Sequence, residues 1–515
     1  ATLLLDPLSD DDIIDILRMN HGISDPEGFV EQAVRQGLPD LLGNPQTLGL
    51  LANAIRGDQW PQSRAETFDL ACKKLAEEPS KTHRIRQRTN PRPCDALLDA
   101  AGHLCATLLL ADKTGIALDR ERTASQFPLL DDLALPDPAS AAAVVHRALF
   151  RASEAGVERM VPAHRSIAEY LAARWLARRI DEEGLPLGRV FNLLLGVDGR
   201  TVAGLRGLYG WLALHCQAAR AALIAADPLT VIVYGDVKPM SPADKRALLA
   251  GLAREAGRHA VFRWGTGNPA PFGALADPAL LADFRGFFES PDRDNAAQSL
   301  VDAVLTILAE GMAPPELTGT VKRIILDESR WSSVRSAALD VWLKAGTAPQ
   351  EALALLDAIA DGSVADDDDE LTGILLSHLY PGGIAPGRLI DFLHRPKSAF
   401  TTGSYSFFWR HELLRKAPLA DLPILLDGMA ARTDLFTSDD HDFLLGNVLS
   451  SLLASAIVQL GEQMDDERLF AWLGIHVDED GYWNEEQGGR QLIAGWLEAH
   501  PDRYKALLSL CSMRC

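Results

Sequence analysis

A histidine placed just ahead of a helix start is the first position where this chain could do chemistry. His164 lies in Val161-Pro-Ala-His-Arg-Ser-Ile-Ala-Glu-Tyr-Leu-Ala-Ala-Arg-Trp-Leu-Ala-Arg-Arg-Ile180, behind Pro162. Ser166 and Glu169 stand at the spacing of a capping box, which predicts a helix from about Ile167. Ile167, Tyr170, Leu171, Trp175 and Ile180 then share one face. A helix start carries unpaired N–H groups and the positive end of the dipole, so an anion is comfortable there. An imidazole beside it adds a donor suited to a phosphate. The same spacing also serves a histidine that merely caps or packs. A second helix start, Gly43-Asn44-Pro45, offers different chemistry. Asn44 is a good N-cap and Pro45 suits the first helical position. Leu48, Leu51, Ala52 and Ile55 line one face of the helix it would open. A proline ring offers a flat apolar surface without a donor to satisfy, and a plain helix start accounts for it equally.

Other chemistries lack a residue set. No Gly-x4-Gly-Lys-Ser/Thr loop occurs, and no acid pair comes after an apolar strand as a Mg²⁺ site would require. The chain alone is therefore expected not to hydrolyse ATP. His411-Glu412-Leu-Leu-Arg415 misses a zinc helix by its second histidine and reads as helix surface. No Gly-x-Ser-x-Gly elbow is present. The six cysteines, at 72, 94, 105, 216, 511 and 515, form no CxxC pair and read as reduced thiols. Asp366–Asp369 with Glu370 could attract a cation or a basic partner, but reads as a solvated loop or helix start. Asp478-Glu-Asp480-Gly481 has the wrong spacing for a calcium loop. His103 reads as a satisfied core residue. Phe407, Phe408 and Trp409, like Tyr482 and Trp483, read as aromatic groups in loops, mostly packing into the core. Lys81, Arg84, Arg86, Arg88 and Arg92 form a basic run between prolines, read as a solvated loop or a site for acidic partners before nucleic acid.

The segment from Pro162 to Ala173 resembles the motif near the end of the winged-helix region in NACHT-type NTPases, of the STAND class of signal-transducing ATPases. The resemblance implies that His164 contacts the β-phosphate of bound ADP and helps hold the protein off. Leu41-Leu-Gly-Asn-Pro-Gln-Thr-Leu-Gly-Leu-Leu-Ala52 resembles that family's Gly-x-Pro element, with Gly43 as the glycine and Pro45 placed against the adenine. Leu205-Arg-Gly-Leu-Tyr-Gly-Trp211 and Asp227-Pro-Leu with Tyr234-Gly-Asp236 look like segments that come after the module in some bacterial proteins. The resemblance is specific over about 1–260 and architectural beyond. It implies a cytoplasmic, nucleotide-dependent switch in bacterial antiviral defence. ADP or ATP, with Mg²⁺, would sit in a slow ATPase core upstream of residue 1. A trigger, a protein sooner than a nucleic acid, would bind the C-terminal repeats and drive self-association and an upstream effector. The rival expectation is a HEAT-like scaffold or adaptor with no nucleotide role.

The elements that must position these residues are helical. The chain has 515 residues, 47% of them hydrophobic and 23% charged, enough for two to four domains. Its formal net charge of −21 argues against a surface that coats nucleic acid. No apolar run approaches a membrane span, and no signal peptide opens the chain. Leu3-Leu4-Leu5 reads as the end of a buried strand, and the first residue is not Met, so the chain is expected to be the C-terminal part of a longer protein. Residues 1–56 are expected to hold the end of an ATPase core and a small helical domain. Residues 57–183 are expected to form a winged-helix region, with a short strand at Gly115–Leu118 and a helix over 140–150. Residues 184–515 alternate Leu/Ala-rich stretches with Asp-Pro, Gly and Ser breaks, the pattern of an irregular HEAT-like solenoid. Trp331–Trp342 is close to one repeat helix, with Arg335 near the repeat junction.

Overall fold

The computed structural model describes residues 8–35, 38, 42–43, 45–55, 60–77, 92–119, 127–153, 159–259, 262, 268–397, 403–432, 435, 443–474 and 489–514. The fold is mainly α, as expected. The chain divides into two compact units, Ala1–Phe284 with Asn295–Met312, and Arg285–Asp294 with Ala313–Cys515.

The first unit opens with α1 (Asp10–His21), α2 (Pro26–Arg35), α3 (Pro45–Ala54) and α4 (Arg64–Glu77). Local chemistry sets its opening. Ser9 Oγ accepts from Asp12 N at 3.2 Å while Asp12 accepts from Ser9 N at 3.2 Å, a complete capping box. Gly22 ends α1 at φ 66°, a left-handed conformation that glycine takes without a Cβ penalty. Next come α5 (Cys94–Leu110), β1 (Ile116–Ala117), α6 (Pro138–Val144), β2 (Phe150–Ala152), β3 (Arg159–Pro162) and α7 (Arg165–Asp181). The three strands form an antiparallel sheet in the order β1-β3-β2, with Ala117 opposite Arg159 and Arg151 opposite Val161. The helix expected over 140–150 stops at Val144. The chain turns at Arg147, whose carbonyl takes the Phe150 N–H, and Phe150 then pairs with Pro162.

α5 and α7 pack closely. A Cβ on Gly102 would lie 2.7 Å from both the Leu171 carbonyl oxygen and Trp175 Cβ, so glycine is what admits the approach. After α8 (Leu187–Leu194) the first unit continues with α9 (Arg206–His215), α10 (Arg220–Ala226), α11 (Pro228–Tyr234) and α12 (Pro242–Arg258). α9 lies against α7 and α11. Phe68 of α4, Tyr170 of α7 and Trp211 of α9 meet with ring centroids 4.9–5.5 Å apart. Burying each such side chain contributes roughly 1.5–3 kcal/mol or more, so this group is a main anchor of the unit.

In the second unit, α13 (Thr318–Leu326), α14 (Ser332–Lys344), α15 (Pro349–Ala360) and α16 (Glu370–Leu379) precede α17 (Leu422–Ala431), α18 (Phe443–Leu460), α19 (Asp466–Gly474), α20 (Gly489–Ala499) and α21 (Pro501–Arg514). Each packs on helices one or two places along the chain, the solenoid-like succession in which an amphipathic helix buries its face only by stacking. Arg335 is buried. Its Nε donates to the Ile325 carbonyl at 2.7 Å and its Nη2 to the Ala365 carbonyl at 2.6 Å, joining the end of α13 to the loop before α16. Phe408–Glu412 is a π-helical turn, and Phe408 and Trp409 fill the core. They lie in a helical segment where the sequence suggested a loop.

Candidate functional site

The sheet delivers His164 to its place. β3 ends at Pro162, and the Ala163 N–H donates to the Leu149 carbonyl at 2.9 Å, which continues the pairing by one residue. His164 then stays extended, at φ −142° and ψ 147°, and is the N-cap of α7. Its carbonyl accepts the Ala168 N–H at 3.1 Å, while its half-buried side chain makes no capping bond to its own helix. The helix therefore starts at Arg165, two residues before the expected Ile167. The Ser166–Glu169 box does not form, because Ser166 is already inside the first turn. Glu169 accepts instead from Arg165 Nε at 2.9 Å, and Arg165 Nη2 also bonds the Gly204 carbonyl. The last turn of α7 carries Arg178 and Arg179, which complement the dipole at that end.

Gly43 and Pro45 stand on another part of the first unit. The Gly43 carbonyl accepts the Leu8 N–H at 3.0 Å, tying the entry of α1 to the entry of α3. Pro45 is the first residue of α3, as its helix-start reading expects, and is exposed. Asn44 lies outside the described residues. α3 packs on α1 and α4, and α4 packs in turn on α7. The link from α4 to α7 is specific: Arg174 Nη1 donates to Asp69 Oδ1 at 3.2 Å beside the Phe68–Tyr170 contact. α4 thus physically connects the helix that Pro45 opens with the helix that His164 caps.

No protein-family model matches the chain, and no curated protein is detectably similar to it.

The fold also gathers residues that no sequence motif marks. Arg151 lies opposite Val161 in the sheet, and Arg159 is two residues before Val161, so both arginines share a sheet face with it. That face, the first turn of α7 and residues 193–205 surround a cavity of about 830 Å³, whose lining includes Arg151, Arg159 and Arg165 but not Gly43, Pro45 or His164. The only signal in the sequence was the alternation Arg159-x-Val161, too short to reveal a sheet without its partner strands.

The acidic run stands at a helix start, one of the two expected settings, and Asp366 and Asp369 are buried there instead of lying in a solvated loop. Asp366 accepts from Leu371 N at 3.1 Å, Thr372 N at 2.8 Å and Thr372 Oγ1 at 2.6 Å, and so caps the start of α16. Asp369, at φ 61°, accepts from Lys397 N at 2.7 Å, and Lys397 Nζ lies 3.0 Å from its other oxygen. Asp366 is thus bonded by neutral donors of its own helix start, while Asp369 is paired with the Lys397 ammonium. His103 is stacked on Trp175 at 4.3 Å, and burial holds its imidazole below the usual histidine range. Its Nδ1 has no hydrogen-bond partner among the described residues, so it is packed but not satisfied. His411 is exposed on the π-turn, and Glu412 pairs with Lys416 at 2.6 Å, a helix surface as expected. Cys72, Cys94, Cys105, Cys216 and Cys511 are free thiols. Among the described residues no group of acids, histidines and cysteines could hold a metal, and no helix is long and apolar enough to cross a membrane. Lys81 to Arg88, Asp478–Gly481, Tyr482 and Trp483 lie outside the described residues.

Proposed function

We propose that this chain is the switch-and-sensor part of a nucleotide-dependent signalling protein of the NACHT type. In this reading His164 donates to the β-phosphate of ADP held by an ATPase core, and Pro45 with Gly43 packs against the adenine. The single observation that carries it is the setting of His164. It stands at the N-terminus of a 17-residue helix that follows directly on a strand, where a phosphate is favoured. α4, linking α3 to α7, gives the two nucleotide-facing positions a common mechanical partner. The stacked helices of the second unit supply the surface for a trigger, a protein in this reading, whose binding favours an ADP-free, self-associating state. The trigger must bind that state more tightly than the ADP-bound one, or it shifts no population. Antiviral defence in a bacterial cytoplasm is the setting this reading implies.

The test is His164→Leu in the full-length gene product, with co-purified nucleotide measured by chromatography. A hydrogen bond to a charged group contributes about 1.5–3 kcal/mol, so ADP release should quicken by about ten- to a hundredfold. Unchanged nucleotide content and unchanged triggering would remove the reading. A scaffold without a nucleotide role is the second reading. It is favoured by the sequential stacking of the second unit, and by a cavity near the His164 helix that includes neither Gly43 nor Pro45. Full-length protein that purifies free of nucleotide, and acts identically with Pro45→Ala and His164→Leu, would establish the scaffold.

A further inference from the structure

The cavity beside the start of α7 has two unlike walls. One is cationic: Arg151 and Arg159 on the sheet face and Arg165 in the first helical turn, with the exposed Lys113 nearby. Asp112 is the one acid on the described lining. In a chain of net charge −21, three arginines around one cavity are the opposite of what the composition would place there. The other wall is apolar and partly open to water, with Leu193 55% and Val202 44% exposed beside Leu109 and Leu205.

The arginines are not equivalent. Arg165 is engaged by Glu169 and the Gly204 carbonyl. Arg159 lies over the Phe127 ring at 4.3 Å, which restrains its guanidinium, and its buried Nε has no acceptor among the described residues. A buried guanidinium N–H without an acceptor is costly, and a planar, pre-oriented guanidinium fits an oxyanion bidentately. The volume falls in the range of about 300–1,000 Å³ that small-molecule sites occupy.

We propose that this cavity binds a small phosphate-headed amphiphile. Its head lies against Arg159 and Arg151, and its apolar body lies over Leu193 and Val202. This site does not rest on the nucleotide-switch reading, since His164 is not on its lining. The apolar body is either an alkyl chain or a nucleobase, and the two are separable by experiment.

The experiment is isothermal titration calorimetry of the chain at about physiological salt, where loose surface pairing is screened. The probes are octyl phosphate below its micelle concentration, inorganic phosphate, octyl glucoside and AMP. Octyl phosphate or AMP should bind at least about tenfold more tightly than both inorganic phosphate and octyl glucoside, and whichever binds more tightly identifies the body. Arg159→Ala and Arg151→Ala should each weaken that binding about tenfold, the share of one charge-assisted hydrogen bond. Leu193→Glu, at an exposed position, should weaken it by at least as much. His164→Leu should leave it unchanged, so this site and the switch fail independently. The proposal is overturned if neither amphiphile binds better than inorganic phosphate. It is equally overturned if Arg159→Ala and Leu193→Glu, both melting like wild type, bind as well as the parent.

Discussion

Adding one methyl group at Gly210 should destabilise the first unit severely, because that glycine meets backbone and not a side chain that could swing aside. A Cβ there would sit 2.5 Å from Gly235 N and 2.7 Å from the Tyr234 carbonyl carbon. Ordinary contact begins near 3.4 Å, so residues 234–235 would have to retreat by about 0.9 Å. Those residues are themselves held. Arg64 Nη1 donates to the Tyr234 carbonyl at 3.1 Å and to the Gly235 carbonyl at 3.2 Å, and Asp236 accepts the Ala65 N–H at 2.8 Å. Arg64 also lies over the Trp211 ring at 4.9 Å. Overpacking costs about 1–3 kcal/mol, and each stretched hydrogen bond about 1 kcal/mol more, so Gly210→Ala should cost about 3–4 kcal/mol. At about 2–4 °C per kcal/mol, the melting midpoint of the first unit should fall by about 6–16 °C in calorimetry. Gly257→Ala is the matched control. Nothing lies within 4 Å of its Cβ position on the exposed side of α12, and the substitution should be neutral or gain up to about 1 kcal/mol. If Gly210→Ala melts within about 2 °C of wild type, less than 1 kcal/mol has been lost, and the backbone contact between α9 and the end of α11 is not as tight as described.

Three further outcomes are expected. Burial, aided by the Arg174 charge, pushes the His215 imidazole down to about 4 from 6.5, so the unfolded chain binds more protons between those values. Stability from this group is full above the unfolded value of 6.5 and falls as pH drops toward about 4. Urea midpoints compared at about pH 7.5 and about pH 5 should show that His215→Phe loses about 2 kcal/mol less than wild type over that interval; equal losses would count against it. Asp366→Ala strips three acceptor contacts from the buried start of α16 and should cost the second unit about 2–4 kcal/mol, read as an earlier urea transition. Burial raises the Cys105 thiol to about 12 and Cys72 well above its ordinary value, whereas Cys511 is exposed. Iodoacetamide at about pH 8 should therefore label Cys511 well before Cys72 or Cys105 in peptide mapping, and equal rates would contradict the burial.

What could be read from the sequence was what depends on neighbours within a turn or two. Ser9 and Asp12 announce α1 because a capping box needs only four residues. Stretches such as Ala243–Ala256 and Ala297–Ala309 emerge as helices within one to three residues of their ends, since their apolar period is local. The start of α7 lies two residues from its expected place because β3 and the Leu149–Ala163 bond hold the chain extended through His164, and those partners are remote in sequence. Burial of Asp369 depends on Lys397, 28 residues further on. The grouping of Arg151 with Arg159 depends on strand register, which no local pattern reports. Local chemistry therefore located His164, Gly43 and Pro45 at helix starts, while the surroundings of each required the folded chain.

A last consequence concerns α7 as a rigid rod. Seventeen residues at 1.5 Å each make it about 26 Å long. At its far end the Asp181 carboxylate is moored to the Gln217 and Ala218 N–H groups and the Cys216 thiol, each at 3.2 Å. A swing of about ten degrees pivoting on the histidine end would carry that carboxylate about 4.5 Å, and all three moorings would part. A tilt of this rod at one tip would therefore be opposed at the other by the turn that leads into α10.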